Sequence, residues 1–307
     1  MSKTALIRVG VSFLVLACCM PSIAQAASAD TAPSKILTIT PTTTKPTVAP
    51  GSSVSGKFQI INQGTSDYPV RIYAAPYTVH SEDYKPDFTP VPGTQNAADW
   101  LHLAISGADI AANHTLDVNY TVTVPSGTAP GGYYAVAFAE TKTATTRQGV
   151  VVNERVGEIF YIQVAGKVRQ AGKLLTWSTP FLQTQPLQSS LRLENDGGLD
   201  YASDIRVSVR DLFGRPKYTL NTTKEVLPQT IRHIPISWDK SPVLGLFKVT
   251  GSVTVAGKTK PLATHYVLVA SPPLRLVGLA LAAILIAYFA GRKLVRHRRA
   301  SNRKPAD

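Results

Sequence analysis

From Ile36 to Val269 the chain runs as short segments in which apolar and polar residues alternate, rich in Val, Ile, Thr and Tyr and broken by Gly, Pro and Asn. Side chains along an extended strand point to opposite faces with a period of two, so this pattern predicts half-buried strands. Val54, Gly56, Phe58 and Ile60 fall on one face of a strand, with Ser55, Lys57 and Gln59 on the other. Within Leu116 to Val124, residues Val118, Tyr120, Val122 and Val124 share a face, and Pro125 ends the run. In Tyr133 to Thr141 the large residues Tyr134, Val136 and Phe138 alternate and are expected to point inward. No helical period occurs before residue 272. Many short strands with turn signals between them predict an all-β fold, here two immunoglobulin-like β-sandwich domains.

Further strands are expected at Ile36 to Thr40, Trp100 to Leu103, Val150 to Val152 and Gly157 to Val164. Val70 to Val79 is also extended, and Pro76, which lacks an N–H, interrupts it or confines it to an edge. Residues 81 to 98 form a long polar connection containing Pro86, Pro90, Pro92 and Gly93. The segment 165 to 172, with Gly166, Lys167, Arg169 and Gly172, is the expected linker. It divides a first sandwich at 36 to 164 from a second at 173 to 271, where strands are expected at 174–176, 190–194, 205–209, 230–238, 246–255 and 264–269. The two halves echo each other, since Ile60-Ile61-Asn62-Gln63-Gly64 and Leu193-Glu194-Asn195-Asp196-Gly197 each place an Asn-containing turn after a second strand. Ala256-Gly257-Lys258 marks a further turn.

Both ends of the chain read differently. Residues 1 to 26 have the parts of a secretory signal, with basic Lys3 and Arg8, an apolar run from Val9 to Cys19, and Ala24-Gln25-Ala26 as a small-x-small cleavage pattern. Residues 27 to 35 are a small, polar lead-in, expected to be flexible. Both cysteines, Cys18 and Cys19, lie within the signal, so cleavage after Ala26 leaves a chain without disulfides or thiol chemistry. The alternative is a lipoprotein site at Val15-Leu16-Ala17-Cys18 that retains a lipidated Cys18. At the other end, Leu276 to Gly291 is free of charge within an expected transmembrane segment at 272 to 294, and a helix begun at Pro273 and continued to Leu294 would reach about 33 Å, enough to cross a bilayer. Arg275 can snorkel outward from its first turn. Arg292, Lys293, Arg296, Arg298, Arg299, Arg303 and Lys304 follow, against the single acid Asp307. This bias places the 295 to 307 tail in the cytoplasm and the sandwiches outside, as a single-pass membrane protein with its N-terminus outside.

The net charge of +13 thereby loses its first meaning. Once the tail and signal are set apart, +5 remains over residues 27 to 291, which is no nucleic-acid footprint. His80, His102, His114, His233, His265 and His297 show no metal-ligand spacing, and the sequence has no nucleophile elbow or phosphate loop. Glu82, Asp83 and Asp87 read as a solvated acidic loop. No catalytic residue, metal or cofactor is expected, so the chain is not read as an enzyme. The aromatics in the same region are more informative. Tyr73 and Trp100 read as core, whereas Tyr77, Tyr84 and Phe88 are the candidate binding residues, because exposed rings anchor protein partners and glycans.

The order of parts resembles that of the WxL-interacting proteins of Gram-positive cell envelopes. Val124-Pro125 followed by Pro130-Gly131-Gly132-Tyr133-Tyr134 is similar to a turn near the end of that family's first domain, and Pro50-Gly51 with Val54 to Asn62 and Gly64 is similar to its early strand. The resemblance covers residues 36 to 164 and implies peptidoglycan attachment by the first domain and capture of a partner surface protein by the second. The expected function is a membrane-anchored extracellular binding or scaffold protein of the bacterial envelope. The alternative is an accessory subunit of a membrane transporter or secretion complex.

Overall fold

The computed structural model describes residues 37–91, 95–141, 145–147, 150–152 and 154–301. The expected signal, the lead-in and the end of the basic tail lie outside the described residues. In chain order the first strands are β1 (Leu37–Thr40), β2 (Thr43–Thr44), β3 (Thr47–Val48), β4 (Ser53–Asn62), β5 (Tyr68–Pro76), β6 (Thr78–His80) and β7 (Lys85–Asp87). After a single 3₁₀ turn at Ala98–Trp100 come β8 (Leu101–Leu103), β9 (Gly107–Ile110), β10 (Thr115–Thr123), β11 (Gly131–Thr141), β12 (Thr145–Arg147), β13 (Val150–Val152) and β14 (Arg155–Val164). The remaining strands are β15 (Gly172–Ser178), β16 (Leu182–Gln183), β17 (Leu187–Asn195), β18 (Tyr201–Asp211), β19 (Pro216–Val226), β20 (Thr230–Trp238), β21 (Leu244–Val255) and β22 (Lys258–Ala270). One helix, α1 (Pro272–Ser301), closes the chain.

Two β-sandwiches of immunoglobulin-like build result. The first packs a β1-β4-β10-β8 sheet on a β2-β14-β11-β5-β9 sheet, and the second packs β15-β17-β20 on β16-β22-β21-β18-β19. The predicted alternation in β4 and β10 sets the first core, with Phe58, Ile60, Val118 and Val122 fully buried. Strand β11 reverses the expected orientation. Its core-facing residues are Ala135, Ala137 and Ala139, while Tyr134, Val136 and Phe138 lie on the outer face. Both faces of β11 are covered, so burial alone could not set the direction. The alanines allow the bulky Phe58, Tyr120 and Phe160 to fill the space between sheets. Gly157 on the neighbouring strand has the matching role, since a Cβ there would sit 2.8 Å from both Phe138 and Val136. Trp100 packs against this core as expected, but Tyr73 lies on the outer face beside Phe138.

The expected echo between the halves has an atomic basis. Asn62 ends β4 and Asn195 ends β17, and each is buried. Each carboxamide oxygen accepts the N–H two residues on, Gly64 and Gly197, at 2.9 Å. Each Nδ2 donates to the carbonyl four residues on, Ser66 and Leu199, and to a facing segment through Ile110 and Val226. One side chain thus satisfies several buried backbone groups that a turn would otherwise strand.

Strand β19 was not legible in the sequence, because its outward residues Lys217, Thr219, Asn221 and Thr223 are polar and it forms the sheet edge beside β18. The β21–β22 hairpin turns at Ala256 and Gly257, both left-handed at φ 45° and 76°, which is the twist a two-residue hairpin needs. Only Ser271 separates β22 from α1. Over Pro272–Lys293 the helix is long and apolar enough to cross a membrane, and none of it is buried. The helix begins one residue before Pro273, and the Arg275 guanidinium reaches back to the Ala270 carbonyl at 2.8 Å.

Glu158 is the anomaly of the first sandwich. It follows the inward register of Phe160 and Ile162, is fully buried, and has one oxygen, Oε2, without a partner. Thr44 donates its hydroxyl to the other oxygen. Burial pushes this carboxyl up to about 7. A folded-state value above the ordinary 4.5 means that the folded form holds a proton the unfolded chain has released, so stability is fullest below 4.5 and declines as pH rises through 7. Glu158→Gln should remove this decline, raising stability at pH 8 by about 3 kcal/mol relative to the native chain. Urea denaturation across pH 4.5 to 8 checks it, and parallel curves for the two chains would contradict it.

Candidate binding cleft between the sandwiches

Part of the polar connection at 81 to 98 is an ordered strap. Strands β6 and β7 pair as a hairpin whose tip, Ser81 to Tyr84, reaches onto the second sandwich. Ser81 and Tyr84 are both left-handed, at φ 70° and 57°, a conformation that costs a side-chain-bearing residue about 1–2 kcal/mol. The contacts at the tip offset that strain. The His233 N–H donates to the Glu82 carbonyl at 2.7 Å, and Arg192 Nε donates to Glu82 Oε2 at 2.7 Å within a two-pronged pair. The hydrogen bond from Arg192 holds the Glu82 carboxyl below its usual range. Asp83 lies 3.3 Å from His233 Nδ1, and Asp87 lies 2.6 Å from His80 Nε2. The acids expected to be solvated are therefore paired, two of them with the other sandwich.

The expected binding residues are placed as follows. Tyr84 is half-buried, its hydroxyl bonded to Thr230 and accepting the Leu227 N–H at 2.8 Å, with the Arg232 guanidinium 4.2 Å over its ring. Burial raises its hydroxyl pKa, as it does for Tyr77. Tyr77 packs on Tyr161 at 6.2 Å and lines a cleft. Phe88 packs beside Tyr77 at 6.3 Å and edge-on to Phe138 at 4.8 Å, with Arg155 5.0 Å above its ring. None of the three is the freely exposed ring the sequence suggested. Tyr77 and Tyr84 are brought together as packing around the buried Tyr134, Tyr161 and Leu227.

That cluster joins the two sandwiches. Tyr134 donates its hydroxyl to Asp200 Oδ1 at 3.0 Å, and the Gly132 N–H donates to the Gly198 carbonyl at 3.0 Å. Lys45 sits between Glu225 at 2.7 Å and Asp200 at 3.6 Å, with its ammonium 5.0 Å from the Tyr161 ring centre. Burial raises the hydroxyl pKa of both Tyr134 and Tyr161, so both remain neutral donors. Sequence reasoning missed Lys45, Arg192, Asp200 and Glu225 because each finds its partner far along the chain. The one available signal was Tyr134, which was expected to point into the core.

Beside this contact opens a cleft of about 500 Å³, walled by Tyr77, His80 and Gln95 on one side and Leu227, Pro228 and Gln229 on the other. Aromatic and aliphatic surface with the Gln95 carboxamide and the Oε1 of Gln229, whose Nε2 donates to the Gly197 carbonyl at 3.0 Å, suits an extended chain, which offers backbone groups to the amides and side chains to the rings. Among the described residues no three His, Asp or Glu side chains gather as a metal site.

Two immunoglobulin-like sandwiches and one apolar C-terminal helix define the class of this chain. No protein-family model matches it, and no curated protein matches it. Among solved structures it is similar to the YadV chaperone, at 12% identity over 75% of this chain and 99% of that one, with a TM-score of 0.40. It is also similar to the CsuC–CsuE chaperone and tip adhesion subunit pre-assembly complex of Acinetobacter baumannii, at 14% identity over 76% and 98% of the chains and a TM-score of 0.37. The E. coli chaperone DraB gives 14% identity over 76% and 97%, again with a TM-score of 0.37.

Tyr84→Phe should cost about 1–2 kcal/mol, because the Leu227 N–H loses its acceptor in a half-buried contact. Chemical denaturation of the full chain measures this, and an unchanged midpoint would show that the Tyr84 hydroxyl contributes nothing to stability.

Proposed function

We propose that this chain is a membrane-anchored binding scaffold of the bacterial cell envelope, without catalytic activity, which holds a partner protein in the cleft between its sandwiches. The observation that carries this reading is the locked contact beside the cleft, built from Lys45, Tyr134, Asp200 and the Glu82–Arg192 pair. A cleft between independently moving domains would lose its shape, whereas one fixed by such contacts is formed before the partner arrives and needs less ordering on binding. The apolar helix supports the anchor, and the order of parts supports kinship with the WxL-interacting proteins, with the sandwiches outside the cell. Peptidoglycan is the competing ligand, and a neighbouring membrane protein held through α1 is the competing partner.

The test uses full-length protein in lipid nanodiscs as bait against three preparations: envelope proteins, isolated peptidoglycan, and detergent-solubilised membrane proteins. The expected result is capture of a discrete envelope protein, reduced about tenfold, or by about 1.4 kcal/mol, in the Gln95→Ala, Gln229→Ala double variant. Capture of peptidoglycan alone would replace the protein partner with a glycan. Capture of a membrane protein that survives the double variant would move the function to the helix. Retention of nothing would refute the scaffold reading.

A further inference from the structure

The second sandwich exposes large apolar side chains chiefly at one end, and that end is where α1 leaves. Strand register fixes the geometry. Leu244 starts β21 opposite Ala270, the last residue of β22, and the Ser271 N–H donates to the Val243 carbonyl at 3.1 Å. Leu182 on β16 lies beside Leu268, with the Phe181 carbonyl accepting the Leu268 N–H. Asp211 ends β18 opposite Phe247, three residues or about 10 Å from Leu244, and the β18–β19 turn then projects further in that direction. Phe181, Leu182, Leu212, Phe213, Val243 and Leu244 thus rim the helix-bearing end, and Phe213 is 85% exposed.

The rim is built, not frayed. Asp211 Oδ1 accepts the N–H groups of both Phe213 and Arg215 at 2.9 Å, and Gly214 is left-handed at φ 78°. This folds a tight turn that holds Leu212 and Phe213 outward at its tip. Around the rim stand Arg210, Arg215, Lys217, Lys240 and Lys248, against Asp211, which pairs with Lys217, and Asp239, which accepts from Ser237. Apolar tips within a basic surround are the signature of a surface that enters the boundary between lipid headgroups and acyl chains.

We propose that this end of the second sandwich rests on the same bilayer that α1 crosses, with Leu212, Phe213 and Leu244 inserted among the outer lipids and the basic ring against anionic headgroups. The inference rests on the membrane anchor proposed above. The one-residue connection at Ser271 and the bond from Arg275 Nε to the Ala270 carbonyl give the sandwich little length with which to stand away from the surface. The contact would set the height and tilt at which the cleft is displayed.

Nitroxide labels on the full chain test this directly. With Cys18 and Cys19 changed to Ser, single labels are introduced by Phe213→Cys, Lys258→Cys and Ile284→Cys, and the protein is placed in phosphatidylglycerol–phosphatidylcholine vesicles. Position 258 opens β22 at the opposite end of the sheet and 284 lies within the helix. Collisions with oxygen and with a water-soluble nickel chelate report lipid and water contact. The expected result is a lipid-exposed 284, a water-exposed 258, and a 213 at least fivefold less accessible to nickel than 258. A lipid-exposed 284 with 213 as accessible as 258 would overturn the docking and leave the anchor standing. A water-exposed 284 would overturn both.

Discussion

The contact on which the molecule depends is the aromatic and ionic joint between its sandwiches. Tyr134, Tyr161 and Leu227 form a buried cluster separate from either sandwich core, with Tyr77 and Tyr84 around it. Aromatic pairs of this kind add about 0.5–1.5 kcal/mol beyond the area they bury. Lys45 supplies a single cation to two acids, Asp200 and Glu225, while its ammonium lies near the Tyr161 ring. The Lys45 side chain is 44% exposed, so solvent screens each pair, and what it adds is one cation shared between two acids and a ring from different parts of the joint. The strap at Glu82 to Tyr84 adds a second attachment from a different part of the first sandwich. Two separate attachments prevent rotation that one alone would permit.

A rigid joint gives meaning to features at both ends. The cleft has a definite shape only because its walls, one from each sandwich, cannot move apart. At the far end β22 passes into α1 through Ser271 alone, with Arg275 bonded back onto the last strand carbonyl. Orientation set by the helix can therefore be carried through the second sandwich to the first. The chain is better described as two sandwiches held by a fixed contact than as two beads on a tether.

The two-sandwich fold was legible because β4, β10, β20 and β21 bury one face and expose the other, and a period of two reports that plainly. The same logic misread β11. Both its faces are covered, by the core on one side and by Phe88 and the second sandwich on the other, so the larger residues were wrongly assigned to the core. The β6–β7 strap was hidden for a related reason. Its proline and acidic residues read as solvated loop, and only their distant partners, Arg192 and His233, reveal their purpose. The candidate site was thus found in part. Tyr77 and Tyr84 were located, but as members of a joint and not as free surface anchors; Tyr134 was assigned to the core, and Lys45 and Asp200 carried no local signal.

The distance distribution between the sandwiches bears most directly on this account. With Cys18 and Cys19 changed to Ser, Lys57→Cys in β4 and Thr219→Cys in β19 place spin labels on exposed strands of the two sandwiches in the full-length protein in nanodiscs. Double electron–electron resonance should give a single narrow distribution. A broad or multi-peaked one would show two sandwiches moving independently, and would remove both the preformed cleft and the rigid joint.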